Sequence, residues 1–429
     1  MAFTNRMLTS IRKEFPTVEK DPNGRKRIFL DNGAGTLVNV RSAARETIAR
    51  LDWSANVGNV FPESVGAQET IFEGRRAVSE FLHAEGPETI VSGESATGLL
   101  FMLAYAMARG MKGKENVVTT GYEHYANINP WIEIGRGRRI RELRFAEFDK
   151  NTGKLDIEHL KSLIDENTRI VTVTAASNVL GTKTDLKKIG QLAKEVDAYF
   201  VIDGVHHVAH GPTDVKKIGC DFYVFSGYKL FSRHGSFMYC APDVIEKLKP
   251  YKVEPSPKRG PERWELGTRD QAMFAAITGA LDYLAWIAAP NSKSAPKPGP
   301  QRAARLREAM EMIEQYEREL TKMILHGTSD LPGLPDMRGV TVYGPKGLAL
   351  PTGRDPTFSF KVAGHNDRAL AEKLWSKYAI AIGAEDYYSR VPAVYKKKTM
   401  LRATFVHYNT KAEATAFLTA LEEITSRKK

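Results

Sequence analysis

Residues 199–231 read YFVIDGVHHVAHGPTDVKKIGCDFYVFSGYKLF, and this stretch contains two strongly apolar runs that each end at polar residues. Asp203 closes the first run, and Ser226 closes the second, three residues before Lys229. Runs this rich in aromatic and β-branched residues, each followed by glycine, predict two buried β-strands. Lysine is almost never fully buried without a partner. Lys229 therefore either extends its ammonium along an apolar surface to water or has a chemical role.

From about residue 70 to residue 245, strand-like runs alternate with helix-like patterns. Two of the helical patterns differ: residues 96–110 are apolar nearly all round, whereas residues 185–198 are apolar on one face only. The alternation predicts an α/β fold with a mostly parallel seven-stranded sheet, helices on both faces and ligands at the carboxyl ends of the strands. The predicted strands lie at 89–93, 116–121, 140–145, 169–176, 199–204, 222–227 and 235–240.

The alternating pattern stops near residue 289, which divides the chain into a large and a small domain. We expect residues 26–288 to form the large cofactor-binding domain and residues 303–429 to form a smaller α+β domain, with an amphipathic helix at 304–327. Residues 289–302 are rich in proline, serine and lysine and indicate a linker or a surface insertion. Residues 1–25 are expected to pack with the small domain.

The composition is typical of a soluble globular protein, with 42% hydrophobic and 26% charged residues in a chain of 429. The apolar run at 98–108 is too short to cross a bilayer, and residues 1–15 lack the pattern of a secretory signal. The two cysteines, Cys220 and Cys240, cannot form a disulfide framework. We therefore expect a cytoplasmic protein without a membrane partner.

The formal net charge is +11, but the basic residues are scattered along the chain. The densest basic clusters, at 136–144 and 396–398, have no interleaved aromatic residues of a recognisable binding motif. We expect no nucleic-acid partner and expect the positive charge to attract anionic substrates or cofactors.

Polar residues follow five of the predicted strands at their carboxyl ends. A helix that begins after Ser95 would offer backbone N–H groups and a favourable dipole to a phosphate. A carboxylate such as Asp203 at the tip of an apolar strand needs a partner, because a lone buried charge is costly. The polar residues at these ends are Gly93, Glu94 and Ser95; Glu123, His124 and Asn127; Asn178; Asp203; and Ser226 with Lys229.

This combination of residues meets the needs of pyridoxal 5'-phosphate. A lysine can form a Schiff base with its aldehyde, and an aspartate can keep its pyridine nitrogen protonated so that the ring accepts electrons. A histidine can stack on the ring. Burial lowers a lysine pKa and favours the neutral amine that attacks the aldehyde. Schiff-base chemistry with this cofactor would therefore explain why Lys229 lies in an apolar turn.

Five segments resemble the class V aminotransferase superfamily, and within it the cysteine-desulfurase-like branch of fold-type I pyridoxal-phosphate enzymes. The resemblance covers nearly the whole chain, in the order and spacing of that branch. The segments are EHYANINPW (123–131), ASNVLGTKTDL (176–186), VIDGVHHVAHGPTDVKKIGCDFYVFSGYKLF (201–231), RWELGT (263–268) and LRATFVHYNT (401–410).

The resemblance implies a cofactor role for seven positions. Lys229 would carry the Schiff base, Asp203 would contact the pyridine nitrogen, and His124 would stack on the ring, which makes these three the expected catalytic residues. The other expected contacts are Asn178 and His206 near the ring hydroxyl, and Ser95 and Ser226 at the phosphate.

Further positions are implied in substrate binding and assembly. Thr268 is similar to the residue that reaches the phosphate of the neighbouring subunit, which implies a homodimer. Arg402 resembles the arginine that binds the substrate α-carboxylate, which a planar guanidinium suits. We add Asn127, Tyr388 and Arg390 as substrate-binding candidates. Arg402 could instead be an ordinary strand residue, Asn127 could brace its loop, and the loop at 385–390 could simply be solvated.

Several positions depart from the family pattern. The phosphate loop, usually Gly-Thr-Thr-like, is GES here, and we expect the Glu94 side chain to turn away from the anion. Tyr228 stands where histidine commonly precedes the lysine, and His206 stands where glutamine is usual. His206, His207 and His210 could bind a metal, but we expect none because no carboxylate or thiolate cluster accompanies them.

The largest departure concerns sulfur chemistry. A desulfurase needs a cysteine thiolate on a loop of the small-domain side to accept sulfur as a persulfide. The corresponding stretch, residues 381–398, contains no cysteine, and Cys220 and Cys240 have the pattern of small buried residues. We therefore do not expect a persulfide-forming desulfurase.

We predict an enzyme that acts on a small-molecule amino acid as a lyase at Cβ, either a carbon–sulfur lyase or another β-eliminating enzyme. Lys229, once released, is the natural base at Cα. One alternative is a decarboxylative aldolase, or other carbon–carbon chemistry on an aspartate-like substrate, and another is an aminotransferase or epimerase. A degenerate homologue that only binds a partner is disfavoured because the central site residues are all present.

Overall fold

The computed structural model describes residues 3–290, 297–346 and 353–426. The strands in these ranges form three sheets. In chain order they are β1 (Ile28–Phe29), β2 (Ile90–Gly93), β3 (Asn116–Thr120), β4 (Glu142–Ala146), β5 (Thr168–Thr174), β6 (Tyr199–Asp203), β7 (Phe222–Ser226), β8 (Ser236–Cys240), β9 (Val340–Tyr343), β10 (Thr357–Val362), β11 (Ile380–Ala381), β12 (Gly383–Glu385) and β13 (Met400–Thr404).

The α-helices of the described ranges alternate with the strands in the first two thirds of the chain. Several begin at a capping side chain, as Ser95 does for α4 and Asp270 for α10. They are α1 (Asn5–Lys13), α2 (Val40–Asp52), α3 (Pro62–Leu82), α4 (Ala96–Ala108), α5 (Asn129–Arg136), α6 (Ile157–Leu163), α7 (Leu186–Glu195), α8 (Val215–Ile218), α9 (Pro242–Lys247), α10 (Gln271–Ala288), α11 (Pro300–His326), α12 (Asp367–Tyr378), α13 (Val391–Val394) and α14 (Lys411–Ser426).

The large sheet confirms the predicted α/β fold with seven mostly parallel strands. Its strand order is β2-β8-β7-β6-β5-β3-β4, and β8 runs antiparallel to both of its neighbours. In the centre of the sheet, Asp203 of β6 lies opposite Thr174 of β5 and Val224 of β7. The central strands therefore end at one edge, where Asp203 and the turn that carries Lys229 lie close together.

Both faces of this sheet are covered, so neighbouring residues of one strand enter different cores. In β6, Val201 belongs to the cluster that contains Leu103 of α4 and Trp131 of α5, whereas Ile202 belongs to the cluster that contains Phe274 of α10. Burial on both faces explains why the central strands have continuous apolar runs instead of an alternating pattern.

Among the described residues, one helix is long and apolar enough to cross a membrane by length and composition alone. This helix is α10, and 83% of it is buried inside the protein. It packs against α2, α3 and α11. Its apolar character is therefore that of a core helix. It is longer than the apolar run at 98–108, which the sequence analysis considered as a membrane span and rejected.

The C-terminal part of the chain contains a four-stranded antiparallel sheet in the order β12-β13-β10-β9. Phe358 and Phe360 of β10, Leu401 of β13 and Phe417 of α14 belong to one buried cluster behind this sheet. In the register of the sheet, Arg402 lies opposite both Ser359 and Gly383. This pairing fixes the position of Arg402 next to β12.

The helix after the proposed linker begins earlier than expected. Helix α11 starts at Pro300 instead of residue 304, and Arg302 in its first turn is buried. Arg302 forms ion pairs with Glu73, at 2.6 Å, and with Glu80, both on α3. Residues 300–302 therefore form the start of a helix and not a linker, because the ion pairs of Arg302 hold this helix start against α3. Residues 291–296 lie outside the described residues.

The N-terminal segment packs against both halves of the chain. In α1, Leu8 enters the cluster behind the antiparallel sheet, while Ile11 enters the core of the large sheet. Nη1 of Arg12 lies 3.0 Å from Oε1 of Glu413 in α14. Strand β1 pairs in parallel with β11. The loop after β1 is thereby placed close to β12 and β13.

Candidate active site

A cavity of about 280 Å³ lies at the carboxyl ends of the large sheet's strands. Pockets for small molecules span roughly 300 to 1,000 Å³, so this one suits a compact ligand. The loops after β2, β3, β5, β6 and β7 contribute to it, together with β12, β13 and the loop after β1. Nine residues predicted from the sequence line it: Ser95, His124, Asn178, Asp203, His206, Ser226, Lys229, Tyr388 and Arg402.

Lys229 is buried in a 3₁₀ turn, Gly227–Lys229, that directly follows β7. Its Nζ donates a hydrogen bond to the carbonyl oxygen of Gly33 and lies 5.3 Å from the centroid of the Tyr228 ring. Burial is the main cause that lowers the pKa of Lys229 to about 7, and the positive charge of Arg402 lowers it further. Much of this amine is neutral at neutral pH, so Lys229 can act as a nucleophile and a base.

Asp203 ends β6 and lines the same cavity. Its Oδ1 accepts a hydrogen bond of 2.9 Å from the backbone N–H of Val205. Burial raises the pKa of Asp203 to about 6, although this hydrogen bond and the charge of Lys229 oppose the shift. A buried carboxylate is costly without a partner, so the site favours a ligand that brings a protonated nitrogen to Asp203.

The two histidines of the cavity are held in their neutral form. Burial, with a smaller contribution from Lys229, lowers the pKa of His124 to about 4. Nδ1 of His124 accepts a hydrogen bond of 2.9 Å from the backbone N–H of Ala126, which fixes the ring orientation. Burial also lowers the pKa of His206, whose Nε2 lies 2.9 Å from Oγ1 of Thr357. A neutral, fixed imidazole is suited to packing on a flat aromatic ligand.

One end of the cavity has the features of a phosphate site. Ser95 caps α4, because its Oγ accepts a hydrogen bond of 3.1 Å from the backbone N–H of Gly98. Thr97 in the first turn of α4 and Ser226 at the end of β7 also line the cavity. The N-terminus of this long helix offers N–H groups and a positive dipole end to an anion. Glu94 is exposed and is not part of the lining, in agreement with the expected outward orientation.

Arg402 occupies the opposite wall and is only 2% exposed. Its Nη1 donates to the carbonyl oxygen of Asn178 at 2.9 Å, its Nη2 lies 3.5 Å from Oδ1 of Asp31, and its Cζ lies 3.9 Å from the Tyr387 ring centroid. Within the described residues, Nε of Arg402 and Oδ1 of both Asn178 and Asp31 are buried without a hydrogen-bond partner. Because buried polar atoms are nearly always paired, these free donor and acceptor atoms are available to a polar ligand.

The sequence analysis did not identify two residues of this wall, Asp31 and Gly33. A Cβ atom at position 33 would lie 2.6 Å from Oγ1 of Thr404 and 2.9 Å from Cζ of Arg402, so any larger residue would displace the arginine. The sequence pattern that identified the other strand ends is also present in the segment IFLDNG at 28–33. There an apolar run is followed by the polar residues Asp31 and Asn32.

Two of the predicted substrate-binding residues lie outside the cavity. Asn127 is buried in the interior, where it donates to Oε2 of Glu123 at 2.8 Å and accepts from Oγ1 of Thr172 at 2.7 Å. These bonds tie the loop that carries Asn127 to β5, as expected of a residue that braces its loop. The guanidinium of Arg390 lies 3.7 Å from the centroid of the Phe145 ring and does not line the cavity.

Thr268 lines a different and larger cavity, of about 1690 Å³. This cavity is open and separate from the one that contains Lys229, and it also has Arg269 and Glu69 on its wall. The predicted reach of Thr268 into a neighbouring subunit stays a prediction.

Glu123, which directly precedes His124, is a fully buried carboxyl group. It accepts hydrogen bonds from Oγ1 of Thr120 at 2.5 Å, from Nδ2 of Asn127 and from the backbone N–H of Thr174 at 3.0 Å. Burial raises the pKa of Glu123 to about 7 in spite of these donors. The group ties β3 to the end of β5 and so supports the segment that carries His124.

The reason given for expecting no metal at the three histidines is wrong, because carboxylates do accompany them. Nδ1 of His210 lies 2.8 Å from Oε2 of Glu317, and Nδ1 of His207 lies 3.0 Å from Oδ2 of Asp355. His206, His210 and Asp355 have ligand atoms within 4.8 Å of one another. Lys183 also lies 3.7 Å from Asp355, so the carboxylate already has cationic partners. Both carboxylates lie more than a hundred residues after the histidines in sequence. The sequence alone therefore did not indicate that they approach these histidines in space.

Residues 28–417 match the aminotransferase class-V family. This chain belongs to the class V aminotransferase family. It is 28% identical to cysteine desulfurases of Yersinia pestis (strain Pestoides F) and of Yersinia pseudotuberculosis serotype O:3 (strain YPIII). In each case the similarity covers 96% of this chain and 97% of the relative.

Solved structures show the same fold. The apo structure of cysteine desulfurase from Thermococcus onnurineus NA1 superimposes with a TM-score of 0.83 at 24% identity and covers 99% of both chains. The cysteine desulfurase CsdA from Escherichia coli superimposes with a TM-score of 0.79 at 21% identity, over 97% of this chain and 98% of that chain. This class V chain therefore has the fold of the pyridoxal-phosphate enzymes that it resembles.

Pyridoxal 5'-phosphate is the cofactor of the class V family, and the cavity fits it. The buried amine of Lys229 meets the need for a nucleophile, and Asp203 meets the need for a carboxylate at the pyridine nitrogen. The N-terminus of α4 offers a phosphate site at the far end. The protein is a pyridoxal-phosphate-dependent enzyme.

No thiol of this class V enzyme lines the cavity. The sequence contains two cysteines, Cys220 and Cys240, and both are buried in the large sheet's cores. Burial raises the pKa of both thiols, which keeps them protonated and unreactive. The loop after β12 instead presents Tyr388 to the cavity.

Proposed function

We propose that this enzyme is a lyase that breaks the bond between Cβ and a sulfur leaving group of an amino acid by elimination. The observation that carries the proposal is a site with a buried lysine base and a carboxylate-binding arginine but no thiol in its lining. A persulfide mechanism needs a thiolate next to the substrate sulfur, whereas elimination needs a base at Cα and a leaving group at Cβ.

The residues of the cavity have separate tasks in this reaction. Bound pyridoxal phosphate supplies an electron-accepting ring that stabilises negative charge at the substrate Cα. Arg402 binds the α-carboxylate, and Asp31 and Tyr387 hold its guanidinium in place. Asp203 would hold the proton of the pyridine nitrogen, and the imidazole of His124, fixed by its hydrogen bond from Ala126, would pack on the ring and exclude water from it.

Lys229 is the base in this proposal. With a pKa of about 7, its amine can take the Cα proton at neutral pH. The electron pair of the Cα–H bond forms the Cα–Cβ double bond, and the electron pair of the Cβ–S bond leaves with sulfur. The thiolate takes up a proton, and water hydrolyses the remaining fragment to pyruvate and ammonium. The sequence of steps needs no oxidant and no protein thiol.

Product analysis tests this proposal. The cofactor-loaded protein is incubated with S-ethyl-L-cysteine, and ethanethiol, pyruvate and ammonium are measured. We expect the three products in equal amounts over many turnovers, and none with the Lys229→Ala variant. A keto acid that retains the ethylthio group would indicate transamination, and recovery of the D-isomer would indicate epimerisation. Either result would overturn the lyase proposal.

We also infer a homodimer. The cavity that contains Thr268 is lined by the exposed apolar side chains of Val57, Phe72 and Val253. Exposed apolar groups gathered in one open groove are typical of an interaction surface. The resemblance of Thr268 to a residue that reaches a neighbouring subunit supports a second copy of this chain as the partner. Light scattering after gel filtration is expected to give twice the chain mass, and the Phe72→Glu variant is expected to be a monomer. A monomeric wild-type protein would contradict this inference.

A further inference from the structure

Glu385 is a carboxylate in the cavity lining that has no assigned task in the proposed reaction. It ends β12 and lies opposite Met400 in β13, two residues from Arg402. Residues two apart on a strand face the same side, so Glu385 and Arg402 are diagonal neighbours on one face of the sheet. Within the described residues, the Glu385 side chain has neither an ion pair nor a hydrogen bond, whereas Asp203, the other carboxylate of the lining, has one.

Tyr388, three residues after Glu385 in the chain, also lines the cavity. Its side chain is 67% exposed, and its ring centroid lies 6.0 Å from that of His124. Both Tyr387 and Tyr388 have positive φ angles, of 58° and 49°, which are uncommon for residues other than glycine. Asp386 Oδ1 accepts from the Tyr388 N–H at 3.0 Å, and the Tyr388 carbonyl accepts from the Tyr125 N–H at 2.7 Å. The backbone is therefore held so that an aromatic ring stays exposed at the entrance.

The charges of the cavity decide what kind of side chain this region accepts. In the proposed function, the positive charge of Arg402 pairs with the α-carboxylate of the amino acid, and the negative charge of Asp203 pairs with the protonated pyridine nitrogen of the cofactor. Glu385 is exposed at the mouth of the cavity, and its negative charge also acts on Lys229. It forms no ion pair or side-chain hydrogen bond among the described residues, so its carboxylate is free to meet a charged group of a substrate. A carboxylate and an exposed aromatic ring that line one cavity can attract the same cation, the first through Coulomb and the second through cation–π interactions.

We infer that Glu385 and Tyr388 select amino acids whose side chain carries a positive charge near its end. This inference rests on the proposed function for the identity of the reaction, since it names the substrate class of the same site. For the lyase, the substrates would be S-substituted cysteines with a cationic substituent. An anionic side chain would meet the like charge of Glu385, which disfavours it. An aspartate-like substrate is therefore disfavoured.

Binding can be measured separately from catalysis with amino acids that have no leaving group at Cβ. L-lysine, L-norleucine and L-2-aminoadipate have side chains of similar length that are cationic, neutral and anionic. Calorimetric titration of the cofactor-loaded protein is expected to show L-lysine bound about tenfold more tightly than L-norleucine, the size expected for a partly exposed charge pair plus a cation–π contact. L-2-aminoadipate is expected to bind most weakly.

Variants assign the preference to particular groups. Glu385→Gln keeps the size of the side chain and removes its charge, so it is expected to bring the lysine-to-norleucine affinity ratio close to one. Tyr388→Ala is expected to reduce the ratio, and Tyr388→Phe to preserve it. Glu372→Gln, an equal charge change on the exposed face of α12, serves as the matched control and is expected to leave the ratio unchanged. Cofactor absorbance and the unfolding midpoint show whether each variant is folded.

The outcomes separate the inference from the proposed function. Equal affinity for L-lysine and L-norleucine, or an unchanged ratio in a folded Glu385→Gln variant, would overturn the inference even if S-ethyl-L-cysteine yields pyruvate. A tenfold preference that Glu385→Gln abolishes supports the inference even if no S-substituted cysteine yields pyruvate. In that case the lyase proposal alone has failed.

Discussion

Nη2 of Arg402 lies 3.5 Å from Oδ1 of Asp31, and these two residues act on Lys229 in opposite directions. After burial, the positive charge of Arg402 is the next cause that lowers the pKa of Lys229, whereas the negative charge of Asp31 raises it. The pair therefore contributes, after burial and together with Asp203 and Glu385, to the fraction of neutral amine on the lysine.

The first prediction concerns the pH at which the protein without cofactor binds pyridoxal phosphate covalently. The neutral amine is the reactive form, so the attachment rate is expected to rise with pH through a midpoint of about 7, not at the ordinary lysine value. Arg402→Gln removes a cause that lowers the pKa and is expected to move the midpoint up. Asp31→Asn removes a cause that raises it and is expected to move the midpoint down. Stopped-flow absorbance measures the rate, and shifts in the same direction would contradict the explanation.

The second prediction concerns Gly33. In Gly33→Ala the new Cβ would displace Arg402 or Thr404, as the distances of 2.9 and 2.6 Å show. The affinity for L-norleucine is expected to fall by roughly tenfold, the size typical of a lost charged hydrogen bond. Gly110→Ala is the matched control, because a Cβ there would meet only a carbonyl oxygen at 3.7 Å. Equal affinities of the two variants would contradict the role given to Gly33.

The third prediction concerns the buried carboxyl of Glu123. Its pKa of about 7 in the folded protein is above the ordinary value of 4.5. The folded protein holds the Glu123 proton more tightly than the unfolded chain does. The free energy of unfolding is therefore highest below pH 4.5 and falls, by on the order of 3 kcal/mol, as the pH rises from 4.5 through 7. Glu123→Gln resembles the protonated form and is expected to lose less stability between pH 5 and pH 8.5. Chemical denaturation at several pH values measures this, and parallel curves for both proteins would contradict it.

The strand ends could be identified from the sequence because parallel strands place their carboxyl ends at one edge. The pattern that identified Asp203 and Lys229 needs only an apolar run and the polar residue after it. The same rule misplaced Asn127, because a polar residue after a strand can also point into the interior and satisfy another buried group, here Glu123. Local pattern gives the position of a residue but not the direction of its side chain.

Other features depend on contacts between distant parts of the chain. Asp355 and Glu317 approach His207 and His210 from segments more than a hundred residues away. The proline-rich neighbours of Arg302 predict a linker, but its ion pairs with Glu73 and Glu80 of α3 bury its side chain in the first turn of α11. No local pattern in the sequence contains these pairings.

Elimination and persulfide formation can be distinguished with L-cysteine labelled with ¹³C at Cβ, which both a desulfurase and a lyase can accept. The cofactor-loaded protein is mixed with the labelled substrate, and the products are followed by NMR spectroscopy. An elimination from Cα and Cβ, with Lys229 as the base, predicts labelled pyruvate, sulfide and ammonium. Labelled alanine, with the sulfur retained as a persulfide on the protein, would contradict the account.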